Sequence, residues 1–257
     1  MKTGLCTIAF RDRPFEAVLD LAVEAGFDGV EPWGKPDHTP DPFDADIVKR
    51  AAEAVQSRGL EVAQYGSYAN PTDDGFDQQL SDAIEIADIY GTDMIRVWVG
   101  NCGSADAEED QWNQAIEGFK TFCDRANDRG KVLVVEMHGN RLSDTVDGCM
   151  RLIEGVDRGN FRMNFQPMYT ESPDQALDAA QAISPYVSTV HAQNYVQTGS
   201  NQRTLIAEGL IDYRTLIGIF RTIRFDGYLE VEFVKEDDPE GALKADAAFL
   251  RELCDTL

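Results

Sequence analysis

The run VVEMHGN, residues 134–140, closes an apolar stretch with a glutamate and a histidine two positions apart. Alternate residues of a strand share a face, so Glu136 and His138 point the same way. Three later stretches end in a similar manner. FRMNFQP brings Asn164 and Gln166 to one face, VSTVHAQN ends with His191, and YLEVEFV sets Glu230 and Glu232 opposite Leu229, Val231 and Phe233. Two carboxylates, an imidazole and an amide oxygen meeting at one point can hold a divalent cation. Hard oxygens with a single nitrogen suit Mn2+ or Mg2+ best; Zn2+, Co2+ and Fe2+ also fit. The expected ligands are Glu136, Asn164, His191 and Glu232. Glu230 lies one layer deeper, where an ion pair with Arg96 or Arg162 is expected. One strand-end Glu or His is as often a satisfied polar residue as a ligand, so the expectation rests on four consecutive strands.

Those strand ends need a scaffold that brings them together. Strands are expected near 3–10, 27–33, 60–66, 94–99, 132–138, 161–166, 187–193 and 228–234. Each is followed by an amphipathic helix, as in Phe15, Val18, Leu19 and Ala22, or Ala115, Phe119, Phe122 and Ala126. Glycines close the helices in VEAGFDGVE, QSRGLEVAQ, IYGTDMIRV and NDRGKVLVV. Ser172 before Pro173 and Asp238 before Pro239 fit helix starts. Strands that alternate with helices run parallel through right-handed crossovers. Eight such units within 257 residues predict an α/β fold, a single (β/α)8 TIM barrel over residues 1–257. Its active site would lie at the C-terminal strand ends. A doubly wound sheet would carry a glycine-rich phosphate loop after the first strand, and AFRDRPFE has none. The longest loop, NYVQTGSNQRTLIAEGL, follows the seventh strand.

Composition narrows the partners. With 43% hydrophobic residues the chain can bury a core. It carries 16 Arg, 7 Lys, 28 Asp and 18 Glu, for a net charge of −23. A Lys deficit beside an Asp excess is the composition of proteins from a salt-loaded cytoplasm, where self-repulsion is screened; the alternative is simply an acidic mesophilic enzyme. The same charge disfavours nucleic acid. No apolar run approaches the roughly 20 residues of a membrane helix, so no membrane partner is expected. MKTGLCTIAF reads as a first strand rather than a secretory signal, which predicts a cytoplasmic location. The five cysteines are scattered without a CxxC pair, against a disulfide framework or zinc knuckle. Whether the barrel works alone or as a homo-oligomer is left open.

The ordered strand ends resemble the xylose isomerase-like barrels, specifically the sugar phosphate isomerase/epimerase branch. The resemblance runs from GLCTIAF through LAVEAGFDGVEPWG and VVEMHGN to AEGLIDYRTLI and RFDGYLEVEF. In that family a Glu, an Asp, a His and a Glu on strands five to eight hold the metal. Asn164 departs from the pattern by standing where the family usually has Asp, which removes one negative charge and weakens the hold. The resemblance implies a metal-dependent isomerase or epimerase of a small sugar or sugar derivative, with Glu136 and Glu232 as the acid–base pair. One would take a proton beside a carbonyl and the other return it, through an enediolate stabilised by the cation.

The alternatives are a lyase or dehydratase of a keto-inositol, keto-sugar or keto-acid at the same site, and a non-catalytic sugar-binding barrel that Asn164 would mark. His138, Gln166, Trp33, Trp98 and Arg203 are expected against the carbohydrate. The rings, with Phe10 and Tyr65, would form an apolar wall, and Arg203 with Arg141 and Lys235 would clamp a phosphate or carboxylate. Glu31 and His38 are weaker candidates. The DNA-repair endonucleases of this superfamily need several zincs and many histidines, against three histidines here.

Overall fold

Gly26 and Gly91 end their helices at φ 78° and 71°, a left-handed conformation that costs glycine nothing. The turn they make sends the chain back under the sheet to start the next strand. In the computed structural model, which describes residues 1–256, this cycle is repeated around a barrel. Its strands are β1 (Lys2–Cys6), β2 (Gly29–Glu31), β3 (Glu61–Val62), β4 (Tyr65–Gly66), β5 (Met94–Val97) and β6 (Val132–Glu136). β7 (Phe161–Phe165), β8 (Val187–Ala192), β9 (Asn194–Tyr195), β10 (Arg203–Thr204) and β11 (Tyr228–Val231) follow. The helices are α1 (Phe15–Ala25), α2 (Ala45–Ser57), α3 (Phe76–Tyr90), α4 (Glu109–Asn127), α5 (Val146–Val156), α6 (Pro173–Ile183), α7 (Tyr213–Thr222) and α8 (Pro239–Thr256).

Nine strands pair in parallel in the order β3-β2-β1-β11-β8-β7-β6-β5-β4. The order starts and finishes on two pieces of one stave, interrupted at Ala63 and Gln64, so eight staves close a ring. A parallel bridge between Trp33 and Gly66 helps to seal it. Apolar residues facing the helices, among them Val135, Met163, Val190 and Val231, are wholly buried, as are Leu19, Phe119, Leu216 and Leu250 on the helices. The alternate strand residues point inward and build a polar interior.

The strands stop sooner than the sequence suggests. Thr7–Phe10 is a 3-10 turn rather than the end of β1, and β2 stops at Glu31. Beyond those points backbone groups find scattered partners instead of a regular ladder, as where Trp33 N–H donates to Thr7 Oγ1 and Gly34 N–H to the Gly66 carbonyl. The long loop holds its own hairpin, in which β10 pairs antiparallel with β9 and sets Arg203 opposite Tyr195. Ser172 caps α6 in a reciprocal pair with Gln175, and Asp238 accepts from Gly241 N–H at the start of α8. Among the described residues, no helix is long and apolar enough to cross a membrane.

Candidate active site

Register places the ligand candidates side by side. Glu136 ends β6 opposite Asn164 on β7, and Glu230 on β11 lies opposite His191 on β8. Paired positions of a parallel sheet share a face, so all four side chains enter the barrel. His191 is fully buried, and its two ring nitrogens have different surroundings. Nε2 lies 2.7 Å from Glu31 Oε2, and with its proton there Nδ1 presents a lone pair. Nδ1 is 3.6 Å from both Glu136 Oε1 and Glu232 Oε1 and makes no hydrogen bond. That spacing is long for a hydrogen bond, yet it suits donor atoms each about 2.1 Å from a shared ion. The three donor atoms all lie within 4.8 Å of one another. An orphaned imidazole nitrogen between two buried carboxylates fits a divalent cation, and Glu136, His191 and Glu232 form a group that can hold one.

A deeper layer of charge supports this group. Arg96, 3% exposed, donates to Glu31 Oε1 at 2.7 Å and to Glu136 Oε2 at 2.5 Å. Gln64 Nε2 bridges Glu31 Oε2 and Glu230 Oε2, each at 2.8 Å. Burial by itself would raise the pKa values of Glu31 and Glu136, but Arg96 and His191 outweigh it and hold both well ionised. Burial would lower that of His191, but Glu31 and Glu232 outweigh it and drive the value well up. The carboxylates thus create a field that demands positive charge at the imidazole, and a cation at Nδ1 would meet the same demand. Glu230 differs: burial, reinforced by Glu31, raises its pKa far above the ordinary range.

The expected ion pair of Glu230 is therefore not formed. Arg96 is taken by Glu31 and Glu136. Arg162 sits two residues before Asn164, too deep in the barrel, and donates to the Pro185 carbonyl.

Above this layer the rim is a chain of amides. Gln166 Nε2 donates to Glu136 Oε1 at 2.9 Å, and Gln166 Oε1 accepts from Gln193 Nε2 at 2.7 Å. Gln193 also donates to Glu232 Oε2 at 2.8 Å and accepts from Arg203 Nε at 3.1 Å. Arg203 lies over the Phe233 ring at 4.2 Å. Gln166, Gln193, Arg203, Glu232 and Phe233, with His138 and Tyr195, line a cavity of about 440 Å³. His138 Nδ1 is 2.8 Å from its neighbour's carbonyl, Gly139 O, which only an N–H can satisfy, so in the neutral ring Nε2 is the nitrogen with the lone pair. Its ring rests on Trp98 at 4.7 Å, Trp98 stacks on Tyr68, and Tyr68 O accepts from Trp33 Nε1.

Most expected site residues thus meet at one place: Glu136, Asn164, His191, Glu232, His138, Gln166, Trp98 and Arg203, with Trp33 behind Tyr68. Others do not. Phe10 and Tyr65 are packed in the core, His38 is held between Thr7 and the Arg13 carbonyl, and Lys235 pairs with Asp237. Arg141 lies over Trp98 and donates to the Gly100 carbonyl. Asn164 Oδ1 accepts from the backbone N–H of His191 at 3.2 Å, and its buried Nδ2 has no partner among the described residues. Gln193, Gln64 and Tyr68 escaped the sequence reading. Gln193 alone left a signal there, two positions after His191 on the same face.

A family model described as xylose isomerase-like TIM barrel matches residues 19–253. A 3-dehydroshikimate dehydratase of Bacillus anthracis is 25% identical over 201 residues, 76% of this chain and 72% of that protein. The crystal structure of a probable 3-DHS dehydratase from Bacillus anthracis superposes with TM-score 0.82 at 22% identity, over 98% of this chain and 99% of that one. A D-psicose 3-epimerase from Clostridium cellulolyticum, solved with D-tagatose, gives TM-score 0.78 at 15% identity, over 98% and 99%. A xylose isomerase-like barrel from Mycobacterium smegmatis in complex with magnesium gives 0.77 at 16%, over 98% and 96%.

Proposed function

The chain belongs to the xylose isomerase-like TIM barrel family, and from its site we propose a metal-dependent dehydratase of a small hydroxylated keto-acid. The observation that carries this reading is the contrast between Glu136 and His138. A two-base epimerase needs a carboxylate able to accept a proton from carbon. Glu136 has one oxygen on Arg96 and the other on Gln166, and Arg96 holds its basicity down. His138 instead presents an unoccupied Nε2 to the cavity on a ring fixed by Trp98. One base suffices for elimination. His138 Nε2 takes the proton beside the carbonyl, the bond to the β-hydroxyl breaks, and His138 returns that proton to the departing oxygen as water leaves. A divalent cation held by Glu136, His191 and Glu232 would polarise the carbonyl and lower the energy of the enolate. Arg203, partly exposed at the rim, supplies the cation that a substrate carboxylate needs.

The named dehydratase relative makes 3-dehydroshikimate the first compound to test. It has a ketone flanked by one hydroxyl with a second hydroxyl one carbon further, and loss of water aromatises the ring to 3,4-dihydroxybenzoate. Incubation with Mn2+ or Mg2+, in dilute and near-molar KCl, should produce the aromatic ultraviolet absorbance. The two salt conditions also test the salt-adapted reading of the −23 charge. The isomerase or epimerase reading is favoured by Glu232, which faces the cavity. It shares the first proton transfer and differs in returning the proton to carbon. Ketoses that exchange carbon-bound hydrogen in D2O without losing water would replace dehydration by epimerisation. Protein without bound metal, whose sugar affinity ignores added Mn2+, would replace both by a binding role.

A further inference from the structure

The end of the barrel away from Glu136 and Glu232 carries a second cavity, of about 610 Å³, larger than the one at the rim. Its wall is built from the N-terminal ends of staves. Lys2 opens β1, Met94 opens β5, Tyr228 opens β11, and Arg162 is the second residue of β7. Arg224 and Ser188 complete one side. We propose that this mouth binds an oxyanion of the phosphate class between Arg162 and Arg224. The proposal stands apart from the functional reading, since it uses no residue of the active site.

The two arginines carry the argument. Acidic residues outnumber basic ones 46 to 23, so a cation without a carboxylate is an exception in this chain. Lys2 is matched by Glu61 at 2.6 Å, and Glu61 also accepts from the Tyr228 hydroxyl. Arg162 and Arg224 form no ion pair among the described residues, although both line the cavity. Arg162 is partly buried and donates only to neutral groups, Nη2 to the Pro185 carbonyl at 3.0 Å and Nε to Ser188 Oγ at 3.4 Å. Its Nη1 has no acceptor among the described residues. Withdrawing a guanidinium from water without a counter-charge is costly. Arg224 stands just past α7 at φ 58°, a left-handed conformation in which glycine would be unstrained. A cation after a helix C-terminus gains from the helix dipole, but Arg162 lies on a strand and has no such gain. Asp226 is the one carboxylate in the lining and pairs with neither arginine. With Lys2 set against Glu61 and one arginine against Asp226, one positive charge is left over.

The donors set the class of ligand. The two guanidinium groups stand on different elements, β7 and the turn after α7, so they can engage separate oxygens. Ser188 Oγ accepts from Arg162 and keeps its own O–H to donate. A carboxylate offers two oxygens in one plane, whereas a tetrahedral phosphate offers oxygens to donors on several sides. The net charge of −23 repels anions at a distance, so binding here depends on direct contact with these arginines rather than on a general field. The N-terminal face of a (β/α)8 barrel serves stability rather than chemistry, and an anion bound there stabilises the fold.

Inorganic phosphate titrated by calorimetry into the whole chain, with KCl adjusted to hold ionic strength constant, tests the site. Saturable binding should appear, and Tm should rise as phosphate is added. Arg162→Met and Arg224→Met should each weaken phosphate about tenfold or more, the scale of a hydrogen bond between charged groups. Arg203→Met, at the opposite rim, should leave the phosphate Kd within about twofold, as expected of a distant site. No saturable binding, or binding lost in Arg203→Met and kept in both other variants, would overturn the proposal. Should Arg162→Met not fold, Arg224→Met decides alone, because that side chain is exposed and its loss leaves no buried gap. Acetate bound as tightly as phosphate would reject the phosphate class. Glycerol 3-phosphate distinguishes the source: binding tighter than inorganic phosphate names a phosphate ester, equal or weaker binding names the free ion, and both support the site.

Discussion

His191 divides the barrel into two halves. Its Nε2 faces β1–β5, where Glu31, Gln64 and Arg96 are closed into one hydrogen-bonded set around Glu31. Its Nδ1 faces β6–β11, where Glu136 and Glu232 stand at 3.6 Å with no proton shared. The first half is closed by its own hydrogen bonds; the second is left short of positive charge. Pre-organised sites are commonly built this way, with one set of groups orienting another that meets the ligand. The difference teaches that buried charge is matched on the Nε2 side of His191 and left unmatched on its Nδ1 side.

Removing the shared cation of the closed half should have the largest effect. Arg96→Met strands Glu31 and Glu136 as buried carboxylates and should cost about 3–5 kcal/mol of stability in urea unfolding. A loss below about 1 kcal/mol would show that the two halves are not coupled through this guanidinium. Next comes the open half: His138→Asn should lower kcat by about 10²–10⁴ with Tm and Mn2+ affinity unchanged, measured on whichever substrate is turned over. A small effect on kcat with a large one on KM would demote His138 to a substrate contact.

Glu31→Gln tests the link itself. The imidazole would keep a partner but lose its carboxylate, and Mn2+ affinity should weaken by about 10–100-fold in a direct titration. Equal Mn2+ affinity would detach the first half from the metal site. At the rim, Arg203→Met should raise KM for a keto-acid about tenfold and leave that of a neutral ketose unchanged; equal effects on both would remove the carboxylate from the substrate class.

The smallest effect lies behind the rim loop. Asp246 on α8 accepts from Ile206 N–H at 2.7 Å and so ties down the segment that carries Arg203. Burial raises its pKa to about 7. The unfolded carboxyl ionises near 4, at about 3.9, so between those values the folded chain binds more protons. Stability contributed by neutral Asp246 is complete below the unfolded value and is lost as pH rises through about 7. Asp246→Asn should flatten the decline in Tm across that window. An unchanged slope would assign the decline to other groups.

The extent to which these halves could be read from the chain follows from locality. Glu136 and His138, Asn164 and Gln166, Glu230 and Glu232 each declare a shared face through two-residue spacing, so the open half was legible strand by strand. Glu31 and Arg96 carry no such pattern. Glu31 reaches His191 across 160 positions, and Arg96 reaches Glu136 across 40. Only Gln193 among the missed residues followed a visible alternation. The expected Glu230 ion pair failed because sequence shows depth along a strand but not which carboxylates across the barrel claim Arg96, and Glu31 and Glu136 do.

What the amino-acid order determined by itself was periodic: alternating strands, amphipathic helices, terminal glycines, and thus eight units whose polar tips face one way. Those features depend on neighbours a few residues apart. Tertiary structure alone decided which tips touch, which nitrogen of His191 is spent on Glu31, and which Asn164 atom faces its neighbour. The reason is physical: ring closure brings distant staves within hydrogen-bond range, and pairing at that range is set by ångström-scale geometry that residue types do not encode.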